Sequence, residues 1–437
     1  MIPTLVCGVL LLGAGRAIAQ ATPALTLEQA VVLAKQNSLK LHVSENELRR
    51  STLAHSELGA TALPQVSVKA GASYAPDSRS FGYDPAITDG GQLNGQLAVE
   101  QNLYDGGVRR LKSAQLGIDL ERLQAEHRLT ERDLVAEVKQ QFIALLQADR
   151  ELVLQRQSAG QLQGYFDLVR SMNAGGVVPY TDVLKTQVDL AGAEVAQQKA
   201  HAARLGTMLT LESLMGVPAD TNLTVRGSLD SLVISYGDSL LRVLPGYPAS
   251  TLELHNATLD VRRSELDVQI ARRERRPLID LTVDAGYLSS QDNLALPAGE
   301  RYTGLGFSAG ITAALPLYNG GATRIRIQQA EIAAENLRLQ RQIVERSLNS
   351  QAQTLRLQIQ SGLQTLGTLR QTIRTAEQNY LLVRSTYAGG GTTATEVLSA
   401  QQMLRDANLA DLEAISAIVQ LRIQLEQTLT PIGGTQP

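Results

Sequence analysis

The sequence predicts an α+β membrane protein that is internally duplicated, with long coiled-coil helices and four membrane-crossing β-strands per chain. A motif, Leu-Tyr-Asp-Gly-Gly at 103–107, returns as Leu-Tyr-Asn-Gly-Gly at 317–321, 214 residues later. Segments 64–74 and 277–287 alternate apolar and polar residues, as half-covered strands do. Each motif is followed by a stretch of 67 residues without proline, which is long for a helix of an ordinary globular domain.

The constant separation divides the chain into two copies of one unit. Ala-Gly-Gly at 174–176 also returns after 214 residues, at 388–390. Duplication on this scale indicates a doubled domain rather than a solenoid, whose repeats are far shorter. The predicted boundaries are a first repeat at 20–216, a linking segment at 217–248, a second repeat at 249–430 and a tail at 431–437.

Each repeat is expected to contain the same elements in the same order. These are a helix, a strand pair, a long helix and a return helix. In the first repeat the strands are at 64–74 and 93–104, the long helix at 107–174 and the return helix at 181–215. In the second the strands are at 277–287 and 304–317, the long helix at 321–388 and the return helix at 395–430.

The N-terminus is expected to be an export signal at 1–19. An apolar run at 5–15 precedes Ala17-Ile18-Ala19, which has the form of a cleavage site, although no Lys or Arg stands before the run. The chain's one cysteine, Cys7, lies in this segment. A mature chain without cysteine excludes disulfides, thiolate metal sites and a cysteine nucleophile.

Composition argues against nucleic acid and against catalysis. Forty Lys and Arg against 43 Asp and Glu give a net charge of −3, whereas binding of a phosphate backbone requires a basic face. The five histidines show no paired metal-ligand spacing, and no phosphate-binding loop or nucleophile elbow is present. We therefore expect no enzyme activity, no catalytic, cofactor-binding or metal-binding residues, and no cofactor.

The four strands cannot close a membrane sheet within one chain. Each is about as long as a tilted transmembrane strand, and a sheet in hydrocarbon must have no open edge. Two chains would form a filled eight-stranded barrel and three a wider barrel with a lumen. The alternative is a soluble four-stranded sheet capped by helices, since alternating strands also occur in soluble proteins.

Polar and aromatic residues favour the membrane interpretation. The faces expected to point into a lumen carry Gln96, Glu100, Asp280, Thr282 and Asp284. Half of the 16 Tyr and Phe residues fall in or beside the strands, which is typical of the aromatic girdles of membrane barrels. They are Tyr74, Phe81, Tyr83, Tyr104, Tyr287, Tyr302, Phe307 and Tyr318.

Together these motifs resemble the TolC-like family of outer-membrane efflux proteins. Their order, their duplication and the Leu-Thr-Leu-Glu-Gln-Ala opening at 25–30 carry the resemblance over nearly the whole mature chain. It implies a homotrimer with a 12-stranded barrel in the outer membrane of a Gram-negative bacterium and a helical tunnel across the periplasm. It also implies contact with outer-membrane lipid, a periplasmic adaptor (membrane fusion) protein and an inner-membrane pump.

The resemblance places adaptor docking at the two helix tips. The first tip contributes Arg170, Gly175, Gly176, Val177 and Val178, and the second contributes Gly389, Gly390 and Gly391. Glycines there also have a simpler interpretation, because a helix C-terminus commonly ends on one. The second tip has threonines where the first has its two valines, so the two docking sites are expected to differ.

The same resemblance places a periplasmic gate at Tyr387, Asp182, Thr181, Glu396 and Thr392. A Tyr387–Asp182 hydrogen bond would serve as a weak lock, and Glu396 would supply three carboxylates to the entrance of a trimer. Asp182 and Glu396 have a simpler interpretation, because an acidic residue in a helix's first turn favours the helix dipole. The family's basic residue in the lock is replaced here by Thr392.

A run of arginines, Arg272-Arg273-Glu274-Arg275-Arg276, ends the helix before the third strand. Two compatible interpretations are favourable charge at a helix C-terminus and contact with lipid phosphates of the outer membrane.

The hypothesis that results from these features and from the resemblance is a passive exit duct of a tripartite efflux or type I secretion system. The alternative is a periplasmic coiled-coil structural or adaptor protein without a pore.

Overall fold

The computed structural model of the chain describes residues 24–75, 90–219, 224–229, 231, 251–291 and 302–431. The expected signal peptide, most of the linking segment and most of the C-terminal tail lie outside these residues, as do Phe81 and Tyr83. The chain divides into two compact units, each drawing on both repeats. Unit 1 takes Met1–Ser38, Val135–Arg242 and Ile359–Ile423, and unit 2 takes Leu39–Leu134, Val243–Gln358 and Gln424–Pro437.

Long helices account for most of the described residues. The helices are α1 Leu27–Asn37, α2 Leu39–Ala60, α3 Val108–Ala174, α4 Tyr180–Met215, α5 Leu252–Arg273, α6 Ala322–Ala388 and α7 Ala394–Thr428. The strands are β1 Gln65–Ala75, β2 Gly90–Tyr104, β3 Leu278–Gln291 and β4 Tyr302–Ala314. Over the described ranges, none of the helices has the length and apolar character needed to cross a lipid bilayer.

The two repeated motifs start the two long helices, α3 and α6, which have 67 residues each. In the first motif Gly106 and Gly107 have φ of 71° and 82°, a backbone that glycine adopts without steric cost. Asp105 then accepts hydrogen bonds from the backbone N–H of Gly107 at 2.9 Å and of Arg109 at 2.6 Å. The motif is therefore a turn followed by a helix cap.

The helix expected at the start of the first repeat is two helices, because Ser38 is extended (φ −68°, ψ 113°) between α1 and α2. The Asn37 side chain donates a hydrogen bond of 3.0 Å to the Met215 carbonyl at the end of α4. Gly216 follows in a left-handed conformation, and a Cβ on it would lie 2.7 Å from the Cβ of Asn37. This close approach binds α1 to the end of α4 within unit 1.

All four strands form one antiparallel sheet in the order β1-β2-β3-β4. Its register places Val68 opposite Leu97, Leu97 opposite Ala285, and Ala285 opposite Phe307. The residues alternating with these are polar or small, and the two sheet faces therefore differ as the sequence pattern predicts.

The apolar face is exposed in the single chain, with Val68 77% exposed, Leu305 89% and Phe307 73%. Exposed apolar area of this kind needs a covering surface that is not water. On the opposite face Lys69 pairs with Glu100 at 2.5 Å, and Asn102 donates to Asp280 at 2.8 Å. That face satisfies its polar groups across the strands, as a water-filled lumen permits.

Strand β4 ends at Ala314, three residues before the predicted end at Leu317. Pro316 explains the difference, because proline has no N–H to donate to a neighbouring strand. Leu317 and Tyr318 follow, each 89% exposed, and lead into α6.

Candidate functional site at the helix tips

Both long helices end in the same hydrogen-bonded turn, although the residues around it differ. At the end of α3, Gly176 has φ of 74° and donates to Asn173 O at 2.9 Å, while Val177 donates to Met172 O at 2.9 Å. This pair of bonds is the Schellman motif, which needs a left-handed residue and therefore favours glycine. Asn173 also donates its side chain to Val178 O at 2.8 Å and so fixes the loop.

The second turn repeats this geometry at the end of α6. Gly390 has φ of 79° and donates to Tyr387 O at 2.9 Å, and Gly391 donates to Thr386 O at 2.9 Å. The side chains of Thr392 and Glu396 hydrogen-bond to each other across the start of α7. Glu396 lies in the first turn of α7, and its hydrogen bond with Thr392 fixes the position of its carboxylate.

Helices α3, α4, α6 and α7 meet beside these turns in a buried cluster within unit 1. We call it the tip cluster; it consists of Tyr165, Val169, Val183, Tyr380, Tyr387, Ala394, Val397, Ala400 and Leu404. Tyr165 is fully buried and Tyr387 is 2% exposed. Their rings meet edge to face, with centroids 5.4 Å apart and planes inclined by 63°.

The tip cluster buries polar atoms together with its apolar ones. The hydroxyls of Tyr165, Tyr380 and Tyr387 are buried without a partner of standard hydrogen-bond geometry among the described residues, although the Tyr387 hydroxyl lies close enough to Tyr165 and to the Asp182 carboxylate for both to alter its pKa. A buried polar group without a partner costs about 1–3 kcal/mol. The packing of the cluster therefore carries an energetic penalty that its apolar contacts must offset.

Asp182 influences the tip cluster through its charge. Burial raises the pKa of Tyr387 above its ordinary value, and the nearby Asp182 carboxylate raises this pKa further because it disfavours a second negative charge. Burial raises the pKa of Tyr165 as well. Both phenols are therefore neutral at physiological pH.

The structure brings some of the sequence-predicted site residues together and leaves others apart. Tyr387 is in the tip cluster, Val178 packs against it, and Asp182 is close enough for its charge to act on two of its tyrosines. Arg170 and Thr181 are exposed, and Val177 is 65% exposed.

Sequence reasoning overlooked Tyr165 and Tyr380. Tyr380 and Tyr387 are seven residues apart, a spacing that places two side chains on one helix face. This spacing was the sequence signal that could have identified Tyr380. Tyr165 belongs to a different helix, and its edge-to-face contact with Tyr387 depends on how α3 packs against α6.

An open groove of about 930 Å³ lies next to the tips, within unit 1 and between the start of α4, the start of α7 and α3. Its lining includes exposed apolar residues of α4, Leu184 and Val188, beside the charged Lys185, Asp189 and Arg405. The Lys185 ammonium donates to the Thr395 hydroxyl at 3.4 Å, which joins α4 to α7. In the described part of the chain, no cluster of His, Cys, Asp or Glu has the makings of a metal site.

Comparison with known proteins agrees with this architecture. The sequence pattern of the outer membrane efflux protein family matches residues 30–217 and 249–430, which follow the two repeats. The chain belongs to the outer membrane efflux protein family. The efflux protein is thus an outer-membrane efflux duct with a periplasmic helical tunnel, and it acts with efflux pump components as a homotrimer.

Solved structures of outer-membrane proteins share the fold. The outer-membrane channel OprN is 16% identical, with a TM-score of 0.74 over 94% of this chain and 91% of that chain. The outer membrane protein VceC of Vibrio cholerae is 17% identical, with a TM-score of 0.73 over 93% and 96%. The open state of the Neisseria gonorrhoeae MtrE channel is 15% identical, with a TM-score of 0.70 over 92% and 88%.

The family assignment favours the duct over the alternative of a periplasmic coiled-coil protein without a pore. Four strands per chain make twelve in the trimer, and the exposed apolar face of the sheet is the surface that lipid would cover.

Proposed function

We propose that the efflux protein is a passive exit duct whose periplasmic entrance is held closed by the tip cluster. The observation that carries this proposal is the burial of Tyr387 against Tyr165 within reach of the Asp182 charge. Four helices converge on these residues at the turns that end α3 and α6. A change in the packing here would therefore move both helix pairs of a subunit.

The energetics of the tip cluster suit a gate. Three buried hydroxyls without a partner of standard geometry among the described residues make the closed packing less stable than an all-apolar cluster of the same size would be. A conformation of modest stability can be displaced by the binding energy of a partner, whereas a fully satisfied core would resist it. The gate is thus weakly stabilised. This agrees with the presence of Thr392 at the position where the family has a basic residue.

The opening partner in this proposal is the periplasmic adaptor protein, which docks on the helix tips. Val177 and Tyr180 are 65% and 63% exposed beside the first turn, and both could contact an apolar partner. The groove lined by Leu184 and Val188 continues this apolar surface along α4. The second tip offers glycine and threonine instead, and so would bind an adaptor by a different set of contacts.

Glu396 is proposed to set the charge of the entrance. In a trimer it contributes three carboxylates, which would favour cations. Its hydrogen bond to Thr392 positions the carboxylate at the start of α7. We further propose that the chain carries out no chemical step, and that an inner-membrane pump supplies the energy for export.

Single-channel conductance in planar bilayers tests the gate. Tyr387→Ala removes the buried ring, so we expect reconstituted trimers to open more often or conduct more than the wild type. Tyr180→Ala is the matched control, because it removes an exposed tyrosine from the first turn of α4. Equal conductance of wild type and Tyr387→Ala would refute the tip cluster as the gate, and the duct itself would still be detected by its current.

A further inference from the structure

Positive charge is concentrated where the helices meet the sheet. Three segments of unit 2, 105–112, 272–276 and 318–331, carry nine Lys and Arg against three Asp and Glu, in a chain whose net charge is −3. They are joined by hydrogen bonds from Arg272 to Glu331 at 2.7 Å and from Arg326 to Glu274 at 2.7 Å. Arg273 donates to Gly106 O at 3.0 Å, which adds the start of α3 to the same region.

Five of the nine cations have contacts within the chain. Arg272 and Arg326 pair with the two glutamates, Arg273 and Arg276 donate to the Gly106 carbonyl, and Arg109 donates to Asn102 at 2.9 Å. Arg273 and Arg276 thus have a structural role at the turn before α3. Among the contacts of the described residues, Arg275 is therefore the one member of the run of arginines before β3 that takes part in none.

The other four cations are exposed and make no hydrogen bond or ion pair with the described residues. We call them the basic foot; it consists of Arg110, Lys112, Arg275 and Arg324. Arg110 and Arg324 occupy the third positions of α3 and α6, separated by the repeat distance of 214 residues. The helix dipole disfavours a cation in a first turn. Both repeats therefore accept an unfavourable charge at the same place, which points to an anionic partner there.

Apolar and aromatic residues lie directly beside the basic foot on the side of the strands. Leu317 and Tyr318 are each 89% exposed just before α6, and Leu103 and Tyr104 are 49% and 39% exposed just before α3. Aromatic residues at the end of a membrane segment followed by cations are typical of the level of lipid headgroups.

We propose that the basic foot binds the phosphate groups of anionic phospholipids in the periplasm-facing leaflet of the outer membrane. This inference rests on the outer-membrane location and is independent of the proposed gate. Guanidinium groups bind phosphate oxygens through two parallel hydrogen bonds. The four cations that have no partner among the described residues favour an anionic lipid over a zwitterionic one, whose headgroup has no net charge. The lipid would fix the depth of the barrel and relieve the repulsion between the first-turn arginines and the helix dipoles.

The test uses purified full-length trimers in neutral detergent, titrated with phosphatidylglycerol and followed by native mass spectrometry. The triple variant Arg110→Gln, Arg275→Gln, Arg324→Gln is expected to bind phosphatidylglycerol about a hundredfold more weakly, or about fivefold per arginine. The same three positions changed to Lys should recover most of the affinity, because the charge remains. Phosphatidylcholine of the same acyl chains should bind weakly to all three proteins.

The matched control is Arg150→Gln, Arg156→Gln, Arg346→Gln, which removes three exposed arginines along the long helices. Arg150 and Arg346 lie about 60 Å and 36 Å along α3 and α6 from their starts, at about 1.5 Å per residue. This control should bind phosphatidylglycerol like the wild type. Without lipid, the basic-foot variant should melt at the same temperature as the wild type or higher, because an unfavourable charge is gone.

Three results would overturn the proposal. One is equal binding of phosphatidylglycerol by the basic-foot variant and the control. The second is loss of the trimer in the basic-foot variant before any lipid is added, which would give these arginines a structural role or place them against another subunit. The third is equal binding of inorganic phosphate at the same concentration, since free phosphate would then suffice in place of a lipid.

Discussion

The ring of Tyr387 packs edge to face against the ring of Tyr165, with centroids 5.4 Å apart, and both hydroxyls are buried without a partner of standard hydrogen-bond geometry in the part of the chain that the structure describes. The same pair of side chains thus makes a favourable contact between rings and carries the free-energy cost of burying two hydroxyls. Substitutions that remove the ring and substitutions that remove only the hydroxyl should therefore have opposite effects.

Tyr165→Phe is expected to leave the free energy of unfolding unchanged or to raise it by up to about 1 kcal/mol, because it deletes an unpartnered buried hydroxyl. Tyr165→Ala should lower it by about 3–5 kcal/mol, because it leaves a cavity in the tip cluster. Loss of helical circular dichroism in guanidinium measures both. A loss above 1 kcal/mol for Tyr165→Phe would mean that the hydroxyl has a partner.

Alkaline pH should weaken the tip cluster. The pKa of Tyr387 is raised from 10.0 by burial and by the Asp182 charge, so the folded chain favours the neutral phenol. The stabilisation this represents is fully present below pH 10, and it is lost as pH rises because tyrosine in the unfolded chain ionises first. Between pH 9 and 11 the free energy of unfolding should fall less steeply for Tyr387→Phe than for the wild type. Tyr180→Phe, at an exposed tyrosine, should keep the wild-type slope, and a Tyr387→Phe slope equal to it would contradict the prediction.

Asp105 should stabilise the start of α3 more than Asn319 stabilises the start of α6. Asp105 accepts two backbone hydrogen bonds, at 2.9 and 2.6 Å, whereas Asn319 accepts one at 3.5 Å. Asp105→Ala should cost about 1–2 kcal/mol and Asn319→Ala less than about 1 kcal/mol. Hydrogen exchange of the first turn of each helix reports the difference. Equal loss of protection in the two variants would show that the caps are equivalent.

Gly390→Ala should destabilise the second tip by about 1 kcal/mol, because Gly390 has φ of 79° and alanine is strained there. Gly389→Ala is the matched control, since its φ is not positive and a Cβ there would lie 3.5 Å from the nearest atom. The rate of proteolysis at the second tip measures the difference between the two variants. Faster cleavage of Gly389→Ala than of Gly390→Ala would contradict the assignment of the left-handed residue.

The repeats, the alternating strands and the two long helices could be predicted because each depends on local patterns: residue periodicity, turn glycines and the absence of proline. The break at Ser38 could not, because it depends on how Asn37 meets Met215, 178 residues away. Tyr165 was missed for the same reason, since it becomes part of the tip cluster only through packing between helices. The arginines before β3 looked equivalent in sequence, and only their hydrogen bonds separate Arg275 from the others.

The order of strands in the sheet also determines how a faulty subunit would behave. Because β1 and β4 are the two edges, a ring of three subunits has a single kind of seam, in which β4 of one copy meets β1 of the next. A subunit with proline in the middle of β1 would lack a backbone N–H at that seam, and would therefore disrupt the strand pairing there in every ring that it joins. If such copies made up half of the pool, only about one ring in eight would contain none of them. The defect would therefore be dominant over the normal allele, although each faulty chain could still form its long helices.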